Sequence, residues 1–493
     1  MTTVRPFLVS LSFLVVTGCA SFMGSGIPTD PVERLQYDID QALADSIFRS
    51  TVPSLKVYAP ASGEVLFERN SSLYVRPASN MKLMTSATAL HVLGPRYIFK
   101  TSVAFDSLDV EGTVHGNIYL KGYGNPDLTT ADLDTLAIRT AMLGVRRVTG
   151  SVMADDSYFD SLSWGAGWMW DDEPAPYQAY VSALSVNKNC VIVTVAPDSI
   201  TGTGILVSTN PETRYITVVN RSSVARDTVL RRISISRPAS EAPNTIVVEG
   251  EMRVGSRPHE EQITILWPEL YAATLFTESL EHQGIRVYAP PIRGRRPAGV
   301  VERAWHTWGI DSVVTNLNKV SDNLSAEMLL KTVSATRSGP PGRSRDGVHG
   351  VNQFLATLGI DTLHHWMADG SGLSHYSLLR ADLLVELLSA MCRQTDIFPL
   401  YYSSLPIGGV DGTLENRMRG TPAEGRVHAK TGSIAGVSSL SGYVLTSDNE
   451  ILVFGMTMQD FILPTRYYRN IQDRICTILA GFSRGTPQRT YAP

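Results

Sequence analysis

Pro77-Ala78-Ser79-Asn80-Met81-Lys82 contains the pattern Ser-x-x-Lys. On a helix, Ser79 and Lys82 lie three apart and share a face. A serine hydroxyl is a weak nucleophile until a base removes its proton. A lysine one turn away can be that base if burial and nearby cations keep its amine neutral. The residues that follow, Leu83 to Leu93, include Met84, Ala87, Leu90 and His91, which fits a buried helix stopped by Gly94-Pro95. Ser79 would then stand at a helix start, where free backbone N–H groups can bind an oxyanion. Two other groups have types that could join it. Ser321-Asp322-Asn323 comes just before a helical pattern, and Lys430-Thr431-Gly432-Ser433 comes just before a strand run. Each alone reads more simply, the first as a helix cap and the second as a charged turn.

The elements that must position these residues can be read in order. Thr29-Asp30-Pro31 is a cap followed by proline at the first helical position, and Val32, Leu35, Ile39, Leu43 and Ile47 follow at helical spacing. Leu55-Lys56-Val57-Tyr58, the Ser62-Gly63 turn and Val65-Leu66-Phe67 make a hairpin that leads straight to Ser79. From about Tyr97 the chain turns strand-rich, with runs at Thr101 to Phe105, Asn117 to Leu120, Cys190 to Val195, Tyr215 to Val219, Val229 to Ile235 and Thr245 to Val248. Pro268 to Gln283 reads as one amphipathic helix closed by Gly284, and Gly294-Arg295-Arg296-Pro297 as a stiff basic linker. Helical patterns return at Asn323 to Val333, Val348 to Leu358 and Arg380 to Cys392. Val437 to Leu445 and Ile451 to Met458 read as adjacent strands, and Tyr468 to Phe482 as a last helix. The pattern predicts one α/β domain, residues 31–95 and 299–493, split by a strand-rich insertion of residues 96–298, itself expected to form two small domains.

With 493 residues, 43% of them hydrophobic, the chain is long enough for several domains and a large core. A net charge of -4 and no long basic run make nucleic acid an unexpected partner. Residues 1–19 read as a bacterial lipoprotein signal. Arg5 is followed by the apolar run Phe7 to Val16, too short to span a bilayer, and then by Val16-Thr17-Gly18-Cys19. Cys19 is the expected lipidation site and residues 20–30 the expected tether, so that two or more acyl chains would hold the protein on a membrane. That places the domain at the cell envelope, facing the periplasm. The other cysteines, Cys190, Cys392 and Cys476, fit no zinc spacing and read as mostly buried; no metal or cofactor is expected.

Ser-x-x-Lys, then Ser-Asp-Asn, then Lys-Thr-Gly, in this order, resembles the signature of penicillin-recognising serine enzymes. The chain as a whole resembles the class C low-molecular-mass penicillin-binding proteins, the D-alanyl-D-alanine carboxypeptidase/endopeptidases of the penicillin-binding-protein-4 type. A long stretch separates Ser79 from Ser321, where that family carries an insertion. Further similar stretches are Gly122-Tyr123-Gly124-Asn125-Pro126-Asp127, Gly167-Trp168-Met169-Trp170-Asp171-Asp172, Asp369-Gly370-Ser371-Gly372-Leu373-Ser374, and the run from Leu405 to Leu414. The resemblance is weakest from about 197 to 297. It implies a three-layer α/β/α domain of the penicillin-recognising transpeptidase and β-lactamase kind, around an antiparallel sheet, with the site between the sheet and a helical lobe. It implies Ser79 as the acylated nucleophile, Lys82 as its base, and Ser321 and Asn323 on the other side of the cleft. Lys430 and Thr431 would hold the substrate's carboxylate from the strand, and the N–H groups of Ser79 and Ser433, next to Gly432, would form the oxyanion hole. Asp171 and Asp172 would lie near the amine of the stem peptide's diamino acid. The implied partners are peptidoglycan stem peptides and β-lactams.

Tyr123 and Asn125 depart from the small residues and Asp that the family often has in that stretch, which touches the insertion and not the three motifs. Two other readings stay open at this point. One is a β-lactamase or esterase of the same fold, although no local Glu-x-x-x-Asn motif for deacylation is present. The other is a lipid-anchored wall-binding protein with a decayed site. Gly370-Ser371-Gly372, which could pass for a nucleophile elbow, reads as a turn near the cleft because no clear strand precedes it.

Overall fold

The computed structural model describes residues 27–198, 204–225 and 231–485. Cys19 and most of the expected tether lie outside them. The centre is a five-stranded antiparallel sheet in the order Val427–Ile434, Val437–Leu445, Ile451–Gln459, Val52–Ala59, Glu64–Arg69. The hairpin expected before Ser79 therefore pairs with strands from the far end of the chain. The middle strands are buried on both faces, so they read as near-continuous apolar runs. Alternation still sorts them by layer. Leu440, Val444, Leu452 and Phe454 face the helices Pro31–Leu43 and Arg466–Gly481, with Leu35, Ile39, Ile475 and Leu479. Tyr443 and Val453 face the opposite layer.

That opposite layer is the helical lobe. Met81–Leu93 runs through it, packed by Ile310–Lys319, Asn323–Ser338, Ser344–Thr357 and Ala381–Met391. All residues of the central helix from Met81 to Leu90 are buried. A helix apolar on every side has no solvent face and belongs in a core, and this one carries Lys82 with it. The fold is thus the mixed α/β architecture the sequence predicts.

The inserted region is built on a seven-stranded sheet. Ile98–Leu108 lies between Thr113–Gly122 and Glu302–Gly309, both antiparallel to it, and Thr113–Gly122 runs parallel to the short strands Arg147–Val148 and Val152–Asp155. Glu302–Gly309 lies past residue 298, because the returning chain adds an edge strand to the insertion's sheet before entering Ile310–Lys319. The insertion also holds the helix Thr130–Met142, which the strand-rich reading leaves out. Its signal is local. Thr129 and Asp132 form a reciprocal capping box, and Leu133, Leu136 and Ala137 follow on one buried face. The described residues of the region also form two three-stranded sheets, one around Cys190–Pro197 and one around Thr245–Glu249, and a two-stranded pairing of Ser223–Val224 with Glu251–Met252. The strand expected from Val229 is shorter, Ser234–Ser236, and residues 226–230 lie outside the described chain. Cys190 and Cys476 are buried and unpaired, and Cys392 is half-buried and unpaired.

Candidate active site

Ser79 lies in a single 3-10 turn, Ala78–Asn80, that leads directly into the helix Met81–Leu93. It is therefore one step before the α-helix rather than inside it. The turn is tightly held. Ala78 has φ +47, and Gly372, at φ +76, backs against it so closely that any side chain there would overlap the Ala78 carbonyl. The Lys82 Nζ donates to Ser79 Oγ at 2.9 Å, to Asn323 Oδ1 at 2.6 Å and to the Ser371 carbonyl at 2.7 Å. Lys82 is fully buried. Burial lowers its pKa to about 8, against the opposing charges of Asp369, Asp322 and Glu327. Roughly a tenth of the amine is thus neutral at pH 7, on the order of two hundred times more than for an exposed lysine, as a base for a serine hydroxyl requires.

Ser321, Asp322 and Asn323 sit where Ile310–Lys319 turns into Asn323–Ser338. Ser321 holds φ +64, an uncommon conformation for a residue with a side chain. Asp322 caps the helix through Leu324 N–H at 3.2 Å. It also receives Lys188 Nζ at 2.6 Å and a short bond from Ser325 Oγ. Burial pushes the Asp322 carboxyl up, but the Lys188 charge and these bonds outweigh it and hold it below the usual range. Lys188 comes from the insertion, where it also pairs with Asp127. Asn323 is fixed at both ends of its amide, accepting from Lys82 and donating to the Tyr177 carbonyl at 2.7 Å.

Lys430, Thr431, Gly432 and Ser433 lie within the strand Val427–Ile434, at the edge of the sheet, not ahead of it. Lys430 Nζ donates to Ser321 Oγ at 2.8 Å and to the Thr431 carbonyl at 2.8 Å. Burial first, and then the charge of Lys82, hold Lys430 well below the ordinary lysine value. Thr431 Oγ1 donates to Thr413 Oγ1 at 2.8 Å, beside the Leu405 to Leu414 stretch, which Lys319 clamps through Asp411 and the Leu405 carbonyl. Ala429 N–H bonds the Pro406 carbonyl off the outer edge of the strand, so alternation by two aims Thr431 and Ser433 N–H the same way. A Cβ at Gly432 would stand 2.9 Å from both Pro77 O and Ser79 N, so only glycine lets the strand approach the Ser79 turn this closely.

The structure gathers Ser79, Lys82, Ser321, Asn323, Lys430 and Thr431 at one cleft between sheet edge and helical lobe. Asp171 and Asp172 lie in the 3-10 turn Trp170–Asp172. Asp172 Oδ1 accepts from Tyr177 OH at 2.9 Å, and the Tyr177 carbonyl in turn holds Asn323, so the turn reaches the cleft through one residue. Asp171 is exposed beside it. Trp168 anchors this segment, donating to Asp369 Oδ2 at 3.0 Å. Ser371 is a buried turn residue. Its hydroxyl is engaged with Asp369 at 3.1 Å and its carbonyl with Lys82. The sequence reading does not anticipate Glu327, Lys188 or Tyr177, and it takes in Thr413 only as part of the Leu405 to Leu414 run. None of the first three has a local pattern, because each acts on a partner far away in the chain.

Comparison with known proteins bears on the family and the fold. The family model described as "D-Ala-D-Ala carboxypeptidase 3 (S13) family" matches residues 35–481. A D-alanyl-D-alanine carboxypeptidase of Actinomadura sp. (strain R39) is 37% identical over 91% of this chain and 85% of its own length. The D-alanyl-D-alanine carboxypeptidase DacB of Haemophilus influenzae is 25% identical over 79% of this chain and 82% of its own length. The crystal structure of penicillin binding protein 4 from Haemophilus influenzae shares the fold at TM-score 0.77 and 23% identity, covering 89% of this chain and 97% of that one.

The close approach at Gly432 gives a test. Gly432→Ala should displace the Ser79 N–H and slow serine acylation by a penicillin on the order of 10²-fold, the usual cost of one oxyanion donor. The measurement is the rate of fluorescent-penicillin labelling. Labelling at the parent rate would show that the strand and the Ser79 turn do not act together.

Proposed function

This chain belongs to the D-Ala-D-Ala carboxypeptidase 3 (S13) family, and from that premise we propose which of its residues carry the reaction. The enzyme is a serine hydrolase of the D-alanyl-D-alanine carboxypeptidase type. Its substrate class is the peptidoglycan stem peptide, and β-lactams would acylate the same serine. The observation that carries the assignment is the 2.9 Å bond between the fully buried Lys82 Nζ and the half-buried Ser79 Oγ.

In this reading Ser79 Oγ attacks the carbonyl of the penultimate D-alanine while Lys82 Nζ takes its proton. The N–H groups of Ser79 and Ser433 receive the negative charge on the carbonyl oxygen. Ser321 Oγ, held by Lys430, relays the proton taken by Lys82 to the nitrogen of the departing D-alanine, which returns Lys82 to the neutral base. The C–N bond breaks, leaving an ester on Ser79, and water then attacks that ester to return the serine and release the shortened peptide. Asn323 holds the substrate backbone. Asp171 and Asp172 face the amine of its diamino acid, where a carboxylate pairs well with a cation. Lys430 and Thr431 bind the terminal carboxylate. The terminal methyl group contributes only about 1 kcal/mol of binding, whereas a charged hydrogen bond contributes roughly 1.5–3 kcal/mol. Recognition of the free terminus therefore rests on the carboxylate. Endopeptidase action at cross-links uses the same chemistry when the leaving group is a longer peptide.

The working place is the cell envelope. We read residues 31–95 and 299–493 as the catalytic domain and residues 96–298 as its insertion, on a chain anchored to a membrane through lipid on Cys19. No helix among the described residues is long and apolar enough to cross a membrane, so the anchor reading rests on the N-terminal sequence. Cys19→Ala should leave an unprocessed precursor or release the protein from membranes. A soluble native protein whose N-terminus is not residue 19 would contradict it.

One experiment tests the residue roles together. Parent, Ser79→Ala and Thr431→Ala are compared on a D-Ala-D-Ala peptide and on the same peptide with its terminus amidated. Ser79→Ala should lose hydrolysis and all stable penicillin label. Thr431→Ala should lose most on the free acid and little on the amide. Equal loss on both would make Thr431 structural, and label surviving in Ser79→Ala would move the nucleophile elsewhere.

A further inference from the structure

Glu327 is a buried carboxyl that the proposed reaction does not use. It lies one helical turn after Asn323 on Asn323–Ser338, so the two share a face. Its Oε1 accepts the N–H groups of Gly370 at 2.9 Å and Ser371 at 2.8 Å. The carbonyl of that same Ser371 accepts Lys82 Nζ at 2.7 Å, and the Gly370 carbonyl accepts Thr85 Oγ1 at 2.6 Å from the central helix. One helix thus holds the Lys82 amine twice. Asn323 does so directly, and Glu327 does so through the 370–371 turn. The turn is also held by Asp369, which accepts the N–H groups of Gly372 and Ser374. It is an irregular segment whose next residue, Gly372, packs on Ala78 beside Ser79.

We infer that Glu327 is a positioning residue for Lys82, fixing the amine through the Gly370–Ser371 turn and adding a removable negative charge behind it. The inference rests on Lys82 being the base for Ser79. The removable character comes from the surroundings of the carboxyl. Glu327 Oε2 is buried with no hydrogen-bond partner among the described residues, which favours the neutral acid over the ion. The buried Asp369 is near, held by Trp168 Nε1, by the N–H groups of Gly372 and Ser374 and by the hydroxyls of Ser371 and Ser377. Burial, and then the charge of Asp369, raise the Glu327 pKa to about 7, while the two N–H groups oppose the rise.

The charged groups that act on Lys82 come from two elements. Asp322 and Glu327 come from the Asn323 helix or its cap and Asp369 from the turn segment; Lys82 in turn acts on Lys430 of the sheet edge, and Lys188 of the insertion neutralises Asp322. The Glu327 carboxyl is pushed up to near neutrality. When it is ionised it favours the ammonium form of Lys82; when it is protonated Lys82 gives up its proton more readily. The sign follows. As pH falls, Lys82 begins to take a proton near 8 while Glu327 is still ionised; protonation of Glu327 near 7 then removes a charge that favours the ammonium, so some neutral base persists to lower pH than it would beside a permanent anion. The acid limb of the acylation rate is then stretched over a wider pH range than one proton gives, because the two groups titrate as a pair.

The test measures rates of acylation by fluorescent penicillin across the acid and alkaline range, on the full protein, for parent, Glu327→Gln and Glu327→Leu. Glu327→Gln keeps an acceptor oxygen for the two N–H groups and removes the charge. Its acid limb should move to lower pH and narrow to that of a single proton. Glu327→Leu removes the acceptor, so the turn loosens, and the rate should fall on the order of tenfold or more even on the alkaline plateau, since small misplacements of a catalytic group cost rate steeply. The Gln variant should keep more of that plateau than the Leu variant. A Gln profile that overlays the parent's in position and width would overturn the inference. So would a plateau for Leu equal to that of Gln. A parent rate with no acid limb would instead remove Lys82 as the base, and with it the reading on which this inference stands.

Discussion

Lys82 carries a primary amine into a place where an ammonium ion has little solvation. Its three acceptors are a hydroxyl, an amide oxygen and a backbone carbonyl, and none is a carboxylate. Most buried lysines are paired, because an unpaired charge in a core is costly. Here the nearest negative charges act at a distance and the contacts are neutral, so the amine is held in place without being locked in its charged form. The proposed chemistry depends on that balance. A carboxylate in direct contact would keep the proton on nitrogen, and fewer acceptors would let the side chain wander from Ser79.

Keeping the balance takes parts from all over the chain. The central helix supplies Lys82 and, through the turn that leads into it, Ser79, and being buried on every side it supplies the dry surroundings as well. The helix Asn323–Ser338 supplies Asn323. The sheet edge supplies Lys430, whose own burial and repulsion from Lys82 keep it below the ordinary lysine range. The insertion reaches in through Lys188, which compensates Asp322 next to the strained Ser321. Without that cation, Asp322 would be a buried charge lacking its main partner, at the point where the chain must hold an uncommon backbone angle. Lys188 itself sits between residues 187 and 189, all three with positive φ, a costly backbone path that delivers one amine to two carboxylates. The insertion is therefore tied to the cleft and not merely hung from it.

What could be read from the sequence follows from range. Ser79 and Lys82 are three apart, Ser321 and Asn323 two apart, and Lys430 to Ser433 contiguous, so each group shows its pattern within a few residues. The paired strands Val437–Leu445 and Ile451–Gln459, and the helices flanking them, are long periodic runs and equally plain. Glu327 looks like any glutamate on a helix until the turn at residue 370 is folded onto it. Lys188 and Tyr177 are likewise recognisable only from partners more than a hundred residues away. The strand Val427–Ile434 extends through Lys430 because an edge strand tolerates the mixed polar and apolar run that obscures it in sequence. Thr130–Met142 had a capping signal that the surrounding strand-like composition masked.

The most direct measurement is the titration of the Lys82 side chain itself. Lysine labelled with 13C at Cε, in a Ser79→Ala background that cannot be acylated, would report Lys82 by its pH-dependent chemical shift, with the signal assigned by its loss in a Lys82→Arg companion. The account predicts a midpoint near 8, more than two units below an exposed lysine, whose usual pKa is about 10.4. A midpoint at or above the ordinary lysine value would mean that the amine is charged throughout the working range, and that Lys82 cannot be the base for Ser79.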